Sequence, residues 1–140
     1  MTKPLEILVY TDGGARGNPG PAAIGYAIFD QTGRCLESDG RCIGNHTNNE
    51  AEYHALILAI ERVKKVSRDR VKFHSDSELM VHQVNGVYKV KAEHLKAFVD
   101  KIREDLADIH WHKLVYVPRE NPRIQLADRL VNEALDREGF

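Results

Sequence analysis

Apolar side chains dominate residues 5–11 on both faces of an extended chain: Leu5, Ile7, Val9 and Thr11 share one face, Leu8 and Tyr10 the other. Both faces are largely apolar, which predicts a central strand covered on both sides. Residues 12–21 carry four glycines and two prolines and read as turn chemistry. Residues 22–29 and 33–43 read as two further strands, joined by a hairpin turn at 30–33. The period then lengthens. Over residues 49–66, Glu52, Ala55, Leu56, Ala59, Ile60 and Val63 fall on one helical stripe, with Arg62, Lys64 and Lys65 largely elsewhere. Residues 71–75 are a short strand. Residues 77–84 form a helix stopped by Asn85 and Gly86, and 92–107 a longer helix with Leu95, Phe98, Val99, Ile102 and Leu106 inward. Residues 114–117 are a strand ended by Pro118, and 125–138 a last helix stopped by Gly139.

Strands joined by short turns are antiparallel neighbours, whereas strands reached through helices return parallel. The order predicts the α/β class. No repeat, low-complexity tract or linker divides the chain, so a single domain over residues 1–140 is expected.

Composition narrows the class. At 140 residues, with 42% hydrophobic and 29% charged positions, the chain is neither a disordered tail, a collagen-like repeat nor a disulfide mini-protein. Cys35 and Cys42 are seven apart and would face opposite ways on one strand, so two unpaired thiols are expected. With no membrane-length apolar run and no signal pattern in residues 1–6, this points to the cytoplasm. The formal net charge of −1 taken alone counts against a nucleic-acid binder.

Four acids change that picture: Asp12, Glu52, Asp76 and Asp128. Each has an ordinary reading. Asp12 suits a turn before Gly-Gly. Glu52 could close a capping box with Asn49, although Thr47 and Glu50 offer the same box nearby. Asp76 could cap a helix, with Ser75 as competitor. Asp128 could complement a helix dipole. Together, however, two end strands expected to be parallel and two lie on inward helix faces. The carboxyl ends of such strands are where ligands bind in open α/β sheets. Gathered carboxylates repel unless cations compensate, and oxygen-only ligands select hard ions, Mg²⁺ or Mn²⁺. Two such ions ~4 Å apart suit in-line displacement at a phosphodiester.

The run from Tyr10 to Gly20, Tyr-Thr-Asp-Gly-Gly-Ala-Arg-Gly-Asn-Pro-Gly, resembles the opening signature of type 1 ribonuclease H. Thr47-Asn48-Asn49-Glu50-Ala51-Glu52-Tyr53-His54-Ala55-Leu56 resembles its second motif, Ser75-Asp76-Ser77 its third and Ala127-Asp128-Arg129-Leu130 its fourth. They occur in the family's order across nearly the whole chain. The resemblance implies a ribonuclease H-like fold: a five-stranded mixed sheet, three strands antiparallel and the later ones parallel, flanked by helices. It also implies metal-dependent endonucleolytic cleavage of RNA in RNA–DNA hybrids, leaving 5′-phosphate and 3′-hydroxyl ends. Asp12, Glu52, Asp76 and Asp128 would be both the catalytic residues and the ligands of two ions. Gly13 and Gly14 would approach the RNA strand, Asn48 and Asn49 would reach sugars and base edges, and Thr47 and Asn18 would help hold a DNA-strand phosphate. Arg16 is a further candidate contact. No protein partner is implied, and a monomer is expected.

The chain departs from the family pattern in places. Glu78 stands where many relatives have Gln and is a candidate RNA or metal contact. The loop before the last helix lacks the usual His, leaving Arg119 as the candidate substitute, and Ile124 replaces a common Asn. The basic helical protrusion of larger relatives is absent: residues 85–91 bridge the point, with Lys89 and Lys91 as a remnant. No separate hybrid-binding domain is expected ahead of the chain. The glycine spacing is not that of a dinucleotide loop and no helix follows it, so that reading fails. His110 and His112 read as packing or surface residues, and the basic run from Lys64 to Lys72 as a solvated helix end and loop. Two other classes fit the residues less well. A non-catalytic hybrid-binding module would have lost a carboxylate, and all four are present. A related exonuclease would carry Asp-x-Glu on the first strand, where Gly13 and Gly14 follow Asp12. Setting the four acids aside leaves the remaining residues at −1 + 4 = +3, which removes the objection from charge.

Overall fold

The computed structural model describes residues 5–140. Nine elements follow one another: β1 (Ile7–Ala15), β2 (Gly20–Phe29), β3 (Cys35–His46), α1 (Asn48–Val63), β4 (Arg70–Ser75), α2 (Glu78–Val84), α3 (Glu93–Leu106), β5 (Trp111–Tyr116) and α4 (Pro122–Arg137). The five strands form one sheet in the order β3-β2-β1-β4-β5. β1–β2 and β2–β3 are antiparallel, and β1–β4 and β4–β5 are parallel, as the connection lengths required.

The central strand runs further than its residues suggest. Gly13, Gly14 and Ala15 continue β1, paired with Ile24, Ala23 and Ala22. Eight consecutive residue pairs with β2 outweigh the turn preference of two glycines. Glycine at position 13 is also required sterically, because a Cβ there would sit 2.3 Å from the Ala51 carbonyl oxygen of α1. β3 likewise extends to His46, with register shifts against β2 that the side-chain pattern does not encode. Both cysteines lie on β3 as free thiols.

One face of the sheet carries the larger core, where Ile7, Val9, Ile24, Tyr26 and Phe73 meet α1, α2 and α3 through Leu56, Ile60, Met80, Val99 and Ile102. The other face carries α4 alone, over two small clusters: Tyr10, Ala27, Phe29 and Ile124, and Ala23, Val131, Ala134 and Leu135. Gly25 permits this docking. It pairs with Asp12 across β1 and β2, and a Cβ there would meet the Ala127 carbonyl oxygen at 2.2 Å.

Candidate active site

Three carboxylates converge where β1 and β4 approach α1. Asp12 projects from β1, Asp76 follows the last residue of β4, and Glu52 lies in the second turn of α1. One ligand oxygen from each falls within 4.8 Å of the others. Local structure frees Glu52 and Asp76. Thr47 caps α1 by accepting from the Glu50 N–H at 3.1 Å, while the Glu50 carboxylate accepts from the Thr47 N–H at 2.8 Å. That box leaves Glu52 uncommitted, and Glu52 instead accepts the Gly13 N–H from β1. The cap of α2 is Ser77, not Asp76 or Ser75, through its hydroxyl on the Met80 N–H at 3.3 Å. Asp128 lies beyond the first turn of α4, so the dipole reading does not account for it.

The three carboxylates share a cavity of about 370 Å³ with Gly13, Gly14, Asn48, Asn49, Ser77, Arg119 and Asp128. Electrostatics there are unfavourable without a cation. Burial, with Asp76 beside it, pushes the Asp12 carboxyl up to about 8. Burial and Asp12 raise Glu52 well above the usual range. Asp76 is raised by burial, opposed by Arg119, whose guanidinium lies 3.9 Å away. An all-oxygen donor set with this much unrelieved like charge fits hard divalent cations. Among the described residues, no other group of three His, Cys, Asp or Glu side chains comes together this closely.

A family model described as reverse transcriptase-like matches residues 10–134. The chain is 38% identical over 131 residues to ribonuclease HI of Halobacterium salinarum, a match covering 94% of this chain and 65% of that protein. Against the crystal structure of that organism's ribonuclease H1 the TM-score is 0.90, with 36% identity, over 94% of this chain and 98% of the other. The chain belongs to the ribonuclease H1 family. LC11-RNase H1, solved in complex with an RNA/DNA hybrid, is 44% identical with a TM-score of 0.88, over 94% of this chain and 98% of the other. The ribonuclease H domain of a Mycobacterium tuberculosis bifunctional protein is 32% identical with a TM-score of 0.87, over 96% of each chain. The chain spans 65% of the full Halobacterium protein and 36% of the mycobacterial one.

Not every residue that the family motifs single out reaches the cavity. Asp128 lines it but stands exposed at its rim, outside the close group of three. Asn18, Thr47, Asn48 and Asn49 line a second cavity of about 340 Å³ beside the first. The loop carrying Asn18 is tied to α1 there. The Asn18 Oδ1 accepts the Asn48 N–H at 3.0 Å, and the Asn48 Oδ1 accepts the Ala15 N–H at 2.9 Å.

Two ribonuclease H1 candidates sit elsewhere. Arg16 turns to α4: its guanidinium pairs with Asp136 at 2.8 Å and donates to the Phe140 carbonyl at 2.6 Å. Its reach is spent on the C-terminal helix because the loop doubles back there. Glu78 is exposed, 3.7 Å from His82 on its own helix, and does not line the cavity. Conversely, Ser77 and His94 line the two cavities without having been singled out. Ser77 was legible as the Ser of a Ser-x-x cap. His94 had no sequence signal, since it comes from α3, more than forty residues from the motif it joins.

Proposed function

We propose that the chain hydrolyses the RNA strand of RNA–DNA hybrids as a single catalytic domain over residues 1–140, using Mg²⁺ or Mn²⁺. The observation that carries this reading is the convergence of Asp12, Glu52 and Asp76 within 4.8 Å, with Asp128 at the rim of the same cavity. The four carboxylates would hold two ions. Bound ions would supply an activated water for in-line attack at phosphorus and charge compensation on the leaving 3′-oxygen, leaving 5′-phosphate and 3′-hydroxyl ends.

The remaining work falls to the chain itself. The Gly13 N–H steadies Glu52. Asn48 and Asn49, walls of both cavities, would read the minor groove, where 2′-hydroxyls distinguish RNA from DNA. Gly13 and Gly14 leave the RNA strand room to approach. Arg119, at the cavity mouth, would meet an incoming phosphate in place of the missing loop His. The structure of LC11-RNase H1 in complex with an RNA/DNA hybrid supports this choice of partner. We further propose that the chain acts as a monomer in the cytoplasm, away from membranes; no helix among the described residues is long and apolar enough to cross one.

The test is cleavage of an end-labelled hybrid by purified protein. Cleavage confined to the RNA strand, dependent on Mg²⁺ or Mn²⁺ and abolished by Asp12→Asn with an unchanged circular dichroism spectrum, is expected. Undiminished cleavage by Asp12→Asn refutes the mechanism. Hybrid bound but never cut would make the chain a binding module.

A further inference from the structure

The second cavity differs from the first in charge. Its lining is Asn18, Thr47, Asn48, Asn49, His94 and Leu95, with no carboxylate. Two of its polar side chains have donors to spare. The Asn18 Oδ1 already accepts from Asn48, which leaves its NH₂ group, and the Thr47 Oγ1 already accepts from Glu50, which leaves its O–H. The third polar contribution comes from another helix. Leu95 packs against the core formed with α1, and this fixes the first turn of α3 so that His94 stands at the cavity wall. The imidazole Nε2 lies 3.7 Å from the Glu50 carboxylate, whose other oxygen accepts from Thr47 N–H and faces His46 at 3.8 Å. The Glu50 carboxylate thus lies beside one ring nitrogen, beyond hydrogen-bond distance, and the other, Nδ1, is left to a ligand.

A duplex presents two anionic strands. The carboxylate cavity suits the strand that meets cations, and the adjoining cavity, walled off by Asn48 and Asn49, suits an anion directly. We propose that His94 is a binding residue for the strand that is not cut, completing from α3 a pocket for one DNA-backbone phosphate. This rests on the hybrid-hydrolase reading, and the positions of Thr47 and Asn18 belong to that reading already. The addition of a histidine from α3 does not. In a chain without a basic protrusion, it gives the uncut strand a further side-chain contact beside the carboxylate cavity.

Binding is measured with metal chelated, so no cleavage is required. A fluorescein-labelled hybrid is titrated at pH 6, where histidine side chains ordinarily carry charge. His94→Ala should weaken binding roughly tenfold and lower the slope of log Kd against log salt by about 0.9, the loss of one phosphate contact. His94→Lys should restore both, and in cleavage assays the Ala variant's loss should appear in KM. The decisive arm replaces single DNA-strand phosphates by neutral methylphosphonates. At one linkage the wild type should lose affinity and His94→Ala lose no more. Equal binding by wild type and His94→Ala, or a His94→Ala penalty that no methylphosphonate position diminishes, overturns the proposal. A wild type that binds this way but never cleaves overturns the hydrolase reading instead. Thermal melting confirms that both variants fold, as expected for a side chain 61% exposed.

Discussion

Removing the charge of Asp12 should stabilise the metal-free protein. Asp12 is 9% exposed and its carboxyl is pushed from 3.8 to about 8 by burial and by Asp76. An acid whose folded value lies above its unfolded value takes up a proton on folding. The folded state therefore loses stability as pH rises above 3.8, and the loss is complete near pH 8. Taken whole, that interval corresponds to ~5–6 kcal/mol at 1.36 kcal/mol per pH unit. Glu52 and Asp76 relax and share protons once the cluster is crowded, so about half of it, ~2–3 kcal/mol, should be recovered by Asp12→Asn at pH 8. For a chain of this size that raises the melting temperature by roughly 6–12 °C. The assay is thermal unfolding in EDTA at pH 8 and pH 4.5. The two proteins should converge at the lower pH, where the wild-type carboxyl is protonated. Mg²⁺ should raise the wild type and barely move the variant, because only the intact cluster gains from the ion. A variant less stable than wild type in EDTA at pH 8 would show that the carboxylates are not in electrostatic conflict and need no cation to relieve them.

Two further expectations concern the scaffold. Glu37 on β3 accepts two bonds from Arg62 of α1, at 2.7 and 3.0 Å, and one from the Tyr26 hydroxyl at 2.6 Å, which hold its carboxyl at about 2 instead of 4.5. Because the folded value is depressed, this stability is present above pH 4.5 and fades as pH falls toward 2. Glu37→Gln should cost ~1–2 kcal/mol at pH 7, allowing for screening at a side chain 27% exposed, with the gap closing by pH 2.5 in urea titrations. A gap independent of pH refutes the pairing. Gly25→Ala should cost about 3 kcal/mol or more, since a Cβ 2.2 Å from the Ala127 carbonyl meets backbone that cannot rotate away. Cleavage should fall too as α4 and Asp128 shift, and a loss of stability below 0.5 kcal/mol contradicts the close approach.

Much of this architecture was legible because its signals are local. The period change after His46 marked α1, and Thr47 with Glu50 announced the box that frees Glu52. Glycine misled at positions 13 and 14, where pairing with β2 decides the conformation and no residue-level preference reports that partner. Asp76 looked like a cap because it opens the helix after β4, with Ser75 as competitor, and only the backbone shows that Ser77 meets the Met80 N–H. Arg16 is harder still. Its chemistry suits a phosphate, yet Asp136, 120 residues away, claims it, and sequence spacing carries no trace of that meeting.

The unequal covering of the sheet has a dynamic consequence. α4 is held by two small clusters, whereas α1 to α3 share the large one, so the protein should open in steps of unequal free energy, α4 first. Hydrogen exchange would then mark α4 as its own cooperative unit. Its excursions carry Asp128 away from the other three carboxylates while the sheet, α1 and their cluster stay intact. Asp128, the proposed fourth ligand, thus rides on the most readily released part of the fold, so the site would come apart and reassemble without the domain unfolding.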